Sequence, residues 1–320
     1  MTPRVKKLRE RSLNAVPSIT GERAKLITEF YKTLEADRVS PPVQHALAFK
    51  HILENKAVVV NEGELIVGER GTGPKATPTY PEVTCHSVED LRILDSRPKT
   101  SFKADAATIR LYEKEIIPFW RGRSIRDRMM AELPREWKDA YEAGVFTEFM
   151  EQRAPGHTVL DNKIYRKGML DFIADIDDTI ARLDFLNDPE ALDKREELRG
   201  MRIAAEALIA FGRRHAVRAK ELAAKEKNPA RKKELLRIAE VCEWVPARAP
   251  RNFWEALQCY WFVHLGVIIE YNTWDSFNPG RLDQHLWPFY ENGLAGGTLT
   301  EESARELLEC FWIKFNNQPA

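Results

Sequence analysis

Two stretches of the chain gather side chains able to do chemistry. In the first, Phe149-Met150-Glu151-Gln152-Arg153-Ala154-Pro155-Gly156-His157-Thr158, the Pro155-Gly156 pair marks a turn and delivers His157 just beyond it. A histidine there can donate, accept or carry a proton near neutral pH. The plainer alternative is a ring that only satisfies loop backbone. The second stretch runs from Glu270 to His285 and holds Asp275 between Trp274 and Phe277. A partly desolvated carboxylate needs a partner, either a substrate cation or hydroxyl or, within the chain, a helix cap or Arg281. Asp283 and His285 read as structural. Gly68-Glu69-Arg70-Gly71-Thr72-Gly73 has neither a P-loop ending nor a Rossmann spacing, so no phosphate site is assigned to it. The 4 cysteines, Cys85, Cys242, Cys259 and Cys310, form no CxxC pair. They read as buried small hydrophobes, not as a metal set or a disulfide framework.

The elements that must position these residues belong to an ordinary globular chain. Of its 320 residues 43% are apolar and 31% charged, which excludes extensive disorder. Lys+Arg and Asp+Glu are both 49, so no excess positive charge marks a nucleic-acid or anionic-membrane surface. The longest apolar run, Tyr260 to Ile269, is half the roughly 20 residues a spanning helix needs. The basic N-terminus lacks the apolar core of a secretory signal, and the chain reads as cytoplasmic with reduced thiols.

The pattern is mainly helical with a few short β-strands. Thr20 is placed to cap a helix carrying Leu26, Ile27, Phe30 and Leu34, and Ser40-Pro41-Pro42 opens a second through about Asn55. Ala57 to Val60 and Leu65 to Gly68 flank Asn61-Glu62-Gly63-Glu64 and predict a hairpin. Residues 71–104 read as structured loop, with helix resuming near Ala106 until Pro118 breaks or kinks it. An apolar stripe through Met169, Phe172, Ile173, Ile176, Ile180 and Leu183 predicts an amphipathic helix. A long helix follows from about Pro189 to Lys227, ended by Asn228-Pro229, and its Lys- and Glu-rich last part reads as a solvated face. Asn252 to Ile269 has almost no polar face and must be buried on all sides, as helix first and then either helix or strand from Val267. Thr298-Leu299-Thr300-Glu301 predicts a capping box before a last helix lined by Ala304, Leu307, Leu308, Phe311 and Phe315. No repeat or linker divides the chain.

Several of these segments carry a resemblance. The run from Phe149 to Thr158, Pro279-Gly280-Arg281-Leu282-Asp283-Gln284 and Lys314-Phe315-Asn316-Asn317-Gln318-Pro319 closely resemble glycyl radical enzymes of the pyruvate formate-lyase-like branch. Glu64-Leu65-Ile66-Val67-Gly68-Glu69 and Pro78-Thr79-Tyr80-Pro81-Glu82 are similar to that branch too. Within it, the likeness is greatest to members that dehydrate trans-4-hydroxy-L-proline. The resemblance implies a ten-stranded α/β barrel, of which residues 1–320 would be the N-terminal helical part. It also implies a substrate pocket lined by Phe149, His157, Trp274 and Asp275. Phe149 and His157 are eight apart, so two helical turns, or a helix and the loop after it, would aim both into one cavity. A carboxylate at Asp275 suits a cationic secondary amine, whereas a sulfonate would ask for bases, of which only Arg153 is near.

The same resemblance implies a radical relay. An S-adenosylmethionine iron–sulfur activase installs a backbone glycyl radical, which passes to a cysteine that takes a hydrogen atom from substrate. The family's Gly-Cys-Val-Glu-like and Arg-Val-Xaa-Gly-Tyr-like loops do not occur here. The expectation is therefore an N-terminal portion with no radical residue, no glycine radical domain and no turnover by itself. It further implies a homodimer when complete, no bound metal, and unpartnered apolar surface at Tyr260–Ile269 and Leu307–Phe315. Other reactions on this scaffold remain open: sulfonate lyase, glycerol or diol dehydratase, choline lyase and formate acetyltransferase-like transfer. So does a non-catalytic helical interaction protein.

Overall fold

The computed structural model describes residues 1–146, 160–271 and 278–318. Helices dominate. The chain begins with α1 (Pro3–Asn14), β1 (Ser18–Thr20), α2 (Glu22–Tyr31) and α3 (Pro41–Asn55), followed by β2 (Ala76–Pro78) and α4 (Val88–Ser96). Next come α5 (Ala106–Leu111), α6 (Ile117–Trp120), α7 (Ile125–Glu132) and α8 (Arg135–Glu142). Then follow α9 (Met169–Ala181), α10 (Ala191–Lys225), α11 (Pro229–Trp244), α12 (Phe253–Glu270), α13 (Leu282–Ala295) and α14 (Glu301–Asn316).

The helices start where local chemistry says they should. Pro41 and Pro229 open α3 and α11 in the first turn, and the Asn228 side chain accepts from the amides of Ala230 and Arg231. The Asn252 side chain accepts from the Glu255 amide to cap α12. α10 runs 35 residues, about 52 Å at the usual rise. It packs against α3, α9 and α11 through a stripe of small residues that includes Gly200, Ala205, Gly212, Ala216 and Ala219. A Cβ on Gly212 would come within 2.8 Å of the Pro246 ring, so only glycine allows α10 this close to the corner after α11.

α12 is the core of the molecule. All of its 18 residues except Trp254, Val267 and Glu270 are buried. It stays helical to Glu270, which decides the choice left open between helix and strand at Val267. Each apolar side chain removed from water here contributes about 1.5–3 kcal/mol, and no polar face exists that would let α12 sit at a surface.

The hairpin expected at residues 57–68 does not form. Between its two runs the described backbone bond is that of the Gly68 amide to the Val59 carbonyl at 3.2 Å. The described strands are instead β1 and β2, which pair in parallel with Ser18 opposite Ala76 and Thr20 opposite Pro78. Residues 71–104 are likewise more ordered than a loop: they contain β2 and α4, whose Ser87 and Asp90 form a capping box. The cap of α14 sits two residues later than predicted, on Thr300 with Ser303. Around Pro118 the chain makes a π-helical turn, Tyr112–Ile116, before α6 takes the proline in its first turn.

The apolar surfaces expected to lack partners are covered. Tyr260, Trp261, Phe262 and Leu265 are buried against the chain's own elements, as are Leu307 and Phe311 of α14. An open apolar face lies elsewhere, between α9, α10 and α12. It is a cavity of about 780 Å³ lined by Phe49, Met169, Phe172, Ile176, Leu208 and Val263, with Glu270 at its rim.

Burial also fixes two histidines as neutral rings. His215 and His264 are held down to about 3, in both cases chiefly by desolvation. His215 Nδ1 donates to the Phe211 carbonyl at 2.9 Å, a bond that favours the charged ring but is outweighed by burial. An unfolded histidine titrates near 6.5. Between these values the unfolded chain takes up a proton that the native ring refuses, so stability is full above about pH 6.5 and falls with acidification. Substituting His215→Gln removes one such proton. By pH 5 the variant gains about 2 kcal/mol relative to the wild type, compared with their difference at pH 7. Urea unfolding of both proteins across that range measures it, and a pH-independent difference would show that the folded ring takes up its proton as the unfolded one does.

Candidate functional site

The four residues expected to line a pocket, Phe149, His157, Trp274 and Asp275, lie outside the described residues. The structure does describe a frame around the end of α12, the helix that directly precedes the Trp274–Asp275 segment in the chain. That frame is built around residues 64–82 and the ends of α12 and α14.

The chain from Glu64 to Gly71 is buried at every position yet belongs to no sheet. Buried backbone groups need partners, and here side chains of α12 supply several of them. Gln258 accepts from the Val67 amide at 2.9 Å and donates to the Val67 carbonyl at 3.0 Å, pairing with both backbone groups of that residue as a neighbouring strand would. The Trp254 indole donates to the Leu65 carbonyl at 2.9 Å and the Trp261 indole to the Gly68 carbonyl at 3.0 Å. Gly68 has φ +107° and lies so near Leu265 that a Cβ would come within 2.8 Å, so this position admits only glycine.

Two carboxylates at the ends of this segment meet one lysine. Lys314 Nζ of α14 donates to Glu64 at 2.7 Å and to Glu69 at 2.5 Å, with all three side chains buried. Asn61 donates to both carboxylates, Asn317 donates to Glu69 at 3.0 Å, and Gln318 donates to Glu69 as well. Ser12 joins from α1, donating to Asn317 at 2.6 Å. Burial works against the Lys314 ammonium, but the two carboxylates overcome it and raise its pKa above the ordinary value. Burial raises the Glu69 carboxyl, with Lys314 opposing and Glu64 adding to the rise. Thus two of the similarity-bearing segments, Glu64–Glu69 and Lys314–Gln318, are one buried ionic cluster.

A second cluster holds the end of α12, next to the Trp274–Asp275 segment. The buried Arg23 of α2 donates to the Ile269 carbonyl at 2.5 Å and the Glu270 carbonyl at 3.0 Å, and pairs with Glu82 at 2.5 Å. It lies 4.1 Å over the Tyr80 ring, whose hydroxyl donates to the Ile268 carbonyl. A cation against the last carbonyls of a helix also complements its dipole. Glu270 is raised by burial, with His45 at 3.6 Å and Arg23 opposing. The Pro78–Glu82 segment therefore has a defined task, which is to brace α12 where it exits the core.

The thiols fit the expectation of small hydrophobes. Cys242, Cys259 and Cys310 are buried and Cys85 is half-buried. Desolvation raises all four, to about 11 for Cys85 and about 12 for Cys259 and Cys310. Among the described residues, no three His, Cys, Asp or Glu side chains group as metal ligands.

The cluster residues were not singled out in the sequence, although a signal existed. Lys314 continues the buried stripe of α14 through Ala304, Leu307 and Phe311. Arg23 likewise shares a helical face with Ile27 and Phe30. A charge on an apolar stripe must find a buried partner.

With this frame described, comparison with known proteins gives a consistent result. The family model for pyruvate formate lyase-like proteins matches residues 1–320. The chain belongs to that family. It is 52% identical over 317 residues to a trans-4-hydroxy-L-proline dehydratase of Clostridioides difficile, covering 99% of this chain and 40% of that protein. An isethionate sulfite-lyase of Nitratidesulfovibrio vulgaris is 36% identical, covering 94% of this chain and 37% of that one. Among solved structures, hydroxyproline dehydratase from Clostridioides difficile with trans-4-hydroxy-L-proline bound matches with a TM-score of 0.96 and 51% identity, over 100% of this chain and 40% of that chain. The B12-independent glycerol dehydratase from Clostridium butyricum matches with a TM-score of 0.92 and 31% identity, over 99% and 40%. The chain thus spans about 40% of the length of these dehydratases.

Removing Lys314 leaves two carboxylates facing each other in the core. Lys314→Met is expected to cost about 3–5 kcal/mol, read as a lowered denaturant midpoint. Adding Glu69→Gln deletes one stranded charge and recovers at least about 1 kcal/mol of that loss. Strictly additive losses in the double variant would mean that the three charges do not act as a unit.

Proposed function

We propose that this chain is part of a glycyl radical dehydratase that removes water from trans-4-hydroxy-L-proline. The observation that carries the reading is its 51% identity, at a TM-score of 0.96, to a hydroxyproline dehydratase structure holding that substrate. On this reading the described helices wrap a ten-stranded α/β barrel. Phe149, His157, Trp274 and Asp275 are the contribution of residues 1–320 to the substrate pocket. The protein acts in the cytoplasm, as a homodimer, with an S-adenosylmethionine iron–sulfur activase as its partner.

The glycyl radical supplies the one-electron chemistry; residues of this chain bind and orient the substrate. Asp275, flanked by Trp274, pairs with the secondary ammonium of the proline ring in a site where partial desolvation strengthens the pair. His157 holds a proton in hydrogen-bonding reach of a polar substituent of the ring. Phe149 and Trp274 cover the ring's apolar faces and exclude water. The frame fixes the end of α12, after which the Trp274–Asp275 segment follows in the chain. Arg23 and Tyr80 hold α12 at Ile268–Glu270, immediately before the segment that carries Asp275. A sulfonate substrate would need cationic partners, and neither Trp274 nor Asp275 provides one.

The test is turnover by the full-length, activated protein. The reading requires consumption of trans-4-hydroxy-L-proline and none of isethionate or glycerol. Asp275→Asn and His157→Ala should each lower kcat/KM by about 10- to 150-fold, the value of a hydrogen bond to a charged group, with unchanged melting temperature. Turnover of isethionate instead, or unaltered kinetics in both variants, would overturn it.

A further inference from the structure

The face between α9 and α10 carries a trough and, at one end of it, an apolar projection. The cavity of about 780 Å³ described above meets a second hollow, of about 490 Å³, at Thr179 and Met201, so the two are continuous. One wall is the α9 stripe Met169, Phe172, Ile176 and Thr179, extended by Leu183. Steps of three and four residues keep that stripe on one side of the helix. The other wall is α10 from Asp193 to Leu208, about 20 Å of helix. Val263, Gly266 and Val267 of α12 floor the trough at the cavity end. The periodicity of α9 predicts a buried face, yet only Met169 and Ile176 of this helix are buried. Its apolar stripe looks into the trough.

The projection is the loop from α9 to α10. Phe185 is 53% exposed and Leu186 is 95% exposed. The loop is held by its own hydrogen bonds: the Asp184 carboxylate accepts from the amides of Leu186 at 3.0 Å and Asn187 at 3.1 Å, and from the Asn187 side chain at 2.7 Å. Arg195 lies 5.8 Å over the Phe185 ring. An apolar tip fixed in this way loses little entropy when it is buried by a partner. It cannot reach the cavity of its own chain, because the 13 residues of α9 hold the two about 20 Å apart. The charges differ at the two ends. Asp184, Asp188 and Glu190 surround the tip, with Lys194 paired to Asp188 at 2.8 Å and to Glu190 at 3.2 Å. Lys163, Arg166 and Lys167 ring the cavity and outnumber Asp175 and Glu270 there.

We propose that the trough between α9 and α10 is the seat of a second copy of this chain, with the Phe185–Leu186 tip of each copy inserted in the cavity of the other. A face that carries both an apolar tip and an apolar receptor, at opposite ends of one groove, is complementary to itself. A twofold axis near Thr179 and Met201 places each tip over the partner cavity and closes the assembly at two copies. The same rotation lays the acidic end of each trough on the basic end of the other, which favours this orientation over the parallel one. Met201, 57% exposed, then meets its own symmetry mate. The proposal rests on the homodimer of the reading given above and not on its substrate.

Sedimentation of the full-length, unactivated protein over a dilution series tests this without substrate. The wild type is expected to be a dimer. Leu186→Asp, at a position too exposed to support the fold of one chain, should weaken it by about 100-fold or more, and so should Met201→Lys, which sets two like charges at the axis. Leu34→Asp, at an exposed leucine outside the trough, should leave the dimer unchanged. Circular dichroism of every variant should match the wild type. A benzophenone amino acid in place of Leu186 locates the contact: irradiation should join two chains, through peptides covering 163–176 or 201–208. A monomeric wild type, a dimer indifferent to both trough substitutions, no adduct, or an adduct at other peptides would overturn the proposal. So would an adduct within one chain, including one to a segment beyond residue 320. If the activated protein does not consume trans-4-hydroxy-L-proline, the substrate reading fails, and sedimentation still decides whether the trough seats a second copy.

Discussion

A buried peptide chain that joins no sheet must find hydrogen-bond partners from somewhere, and that requirement organises this molecule. Residues 64–71 run through the interior with strand-like composition and no strand beside them. The Val67 amide and the carbonyls of Leu65, Val67 and Gly68 are met by Gln258, Trp254 and Trp261, all on α12. This explains why α12 carries a glutamine and indole nitrogens in an otherwise apolar helix. It also explains why Lys314 is buried. The segment brings Glu64 and Glu69 inside, and a cation must follow them.

From this constraint the frame follows. The segment is clamped between α12 and the end of α14, so the first and last parts of the chain are joined by Ser12, Asn317 and Gln318 around one ionic cluster. Further along, Tyr80 and Arg23 seize the exit of α12. Replacing such buried ion pairs by well-packed apolar groups is often neutral for stability. What they provide here is specificity of arrangement: each carbonyl at the end of α12 has a named partner, so the backbone leaves the core at one place and in one direction. A pocket that discriminates between small polar substrates depends on such fixed starting points.

Much of this architecture is legible in the residues. The starts of α3, α11 and α12, the length of α10 and the burial of most of Asn252–Ile269 all follow from proline and asparagine placement and from periodicity. These are local rules, acting within a turn or two of each residue. The hairpin at 57–68 was misread for a physical reason. β-branched runs describe a half-buried extended chain but not its neighbour, and here the neighbour is a helix presenting an amide side chain. The capping box of α14 shifted by two residues because two threonines compete for the cap and Leu299 packs under Gly293.

The sequence by itself determined the helical class, the family likeness and which segments carry unusual chemistry, because composition, spacing and caps are properties of neighbouring residues. Only the tertiary structure decided that Glu64, Glu69 and Lys314 are one cluster and that Arg23 reads the end of α12. Those pairings join residues up to 250 positions apart. A buried charge announces that it needs a partner, but nothing in the linear order says which one, because the choice is made by helices folding back across the core.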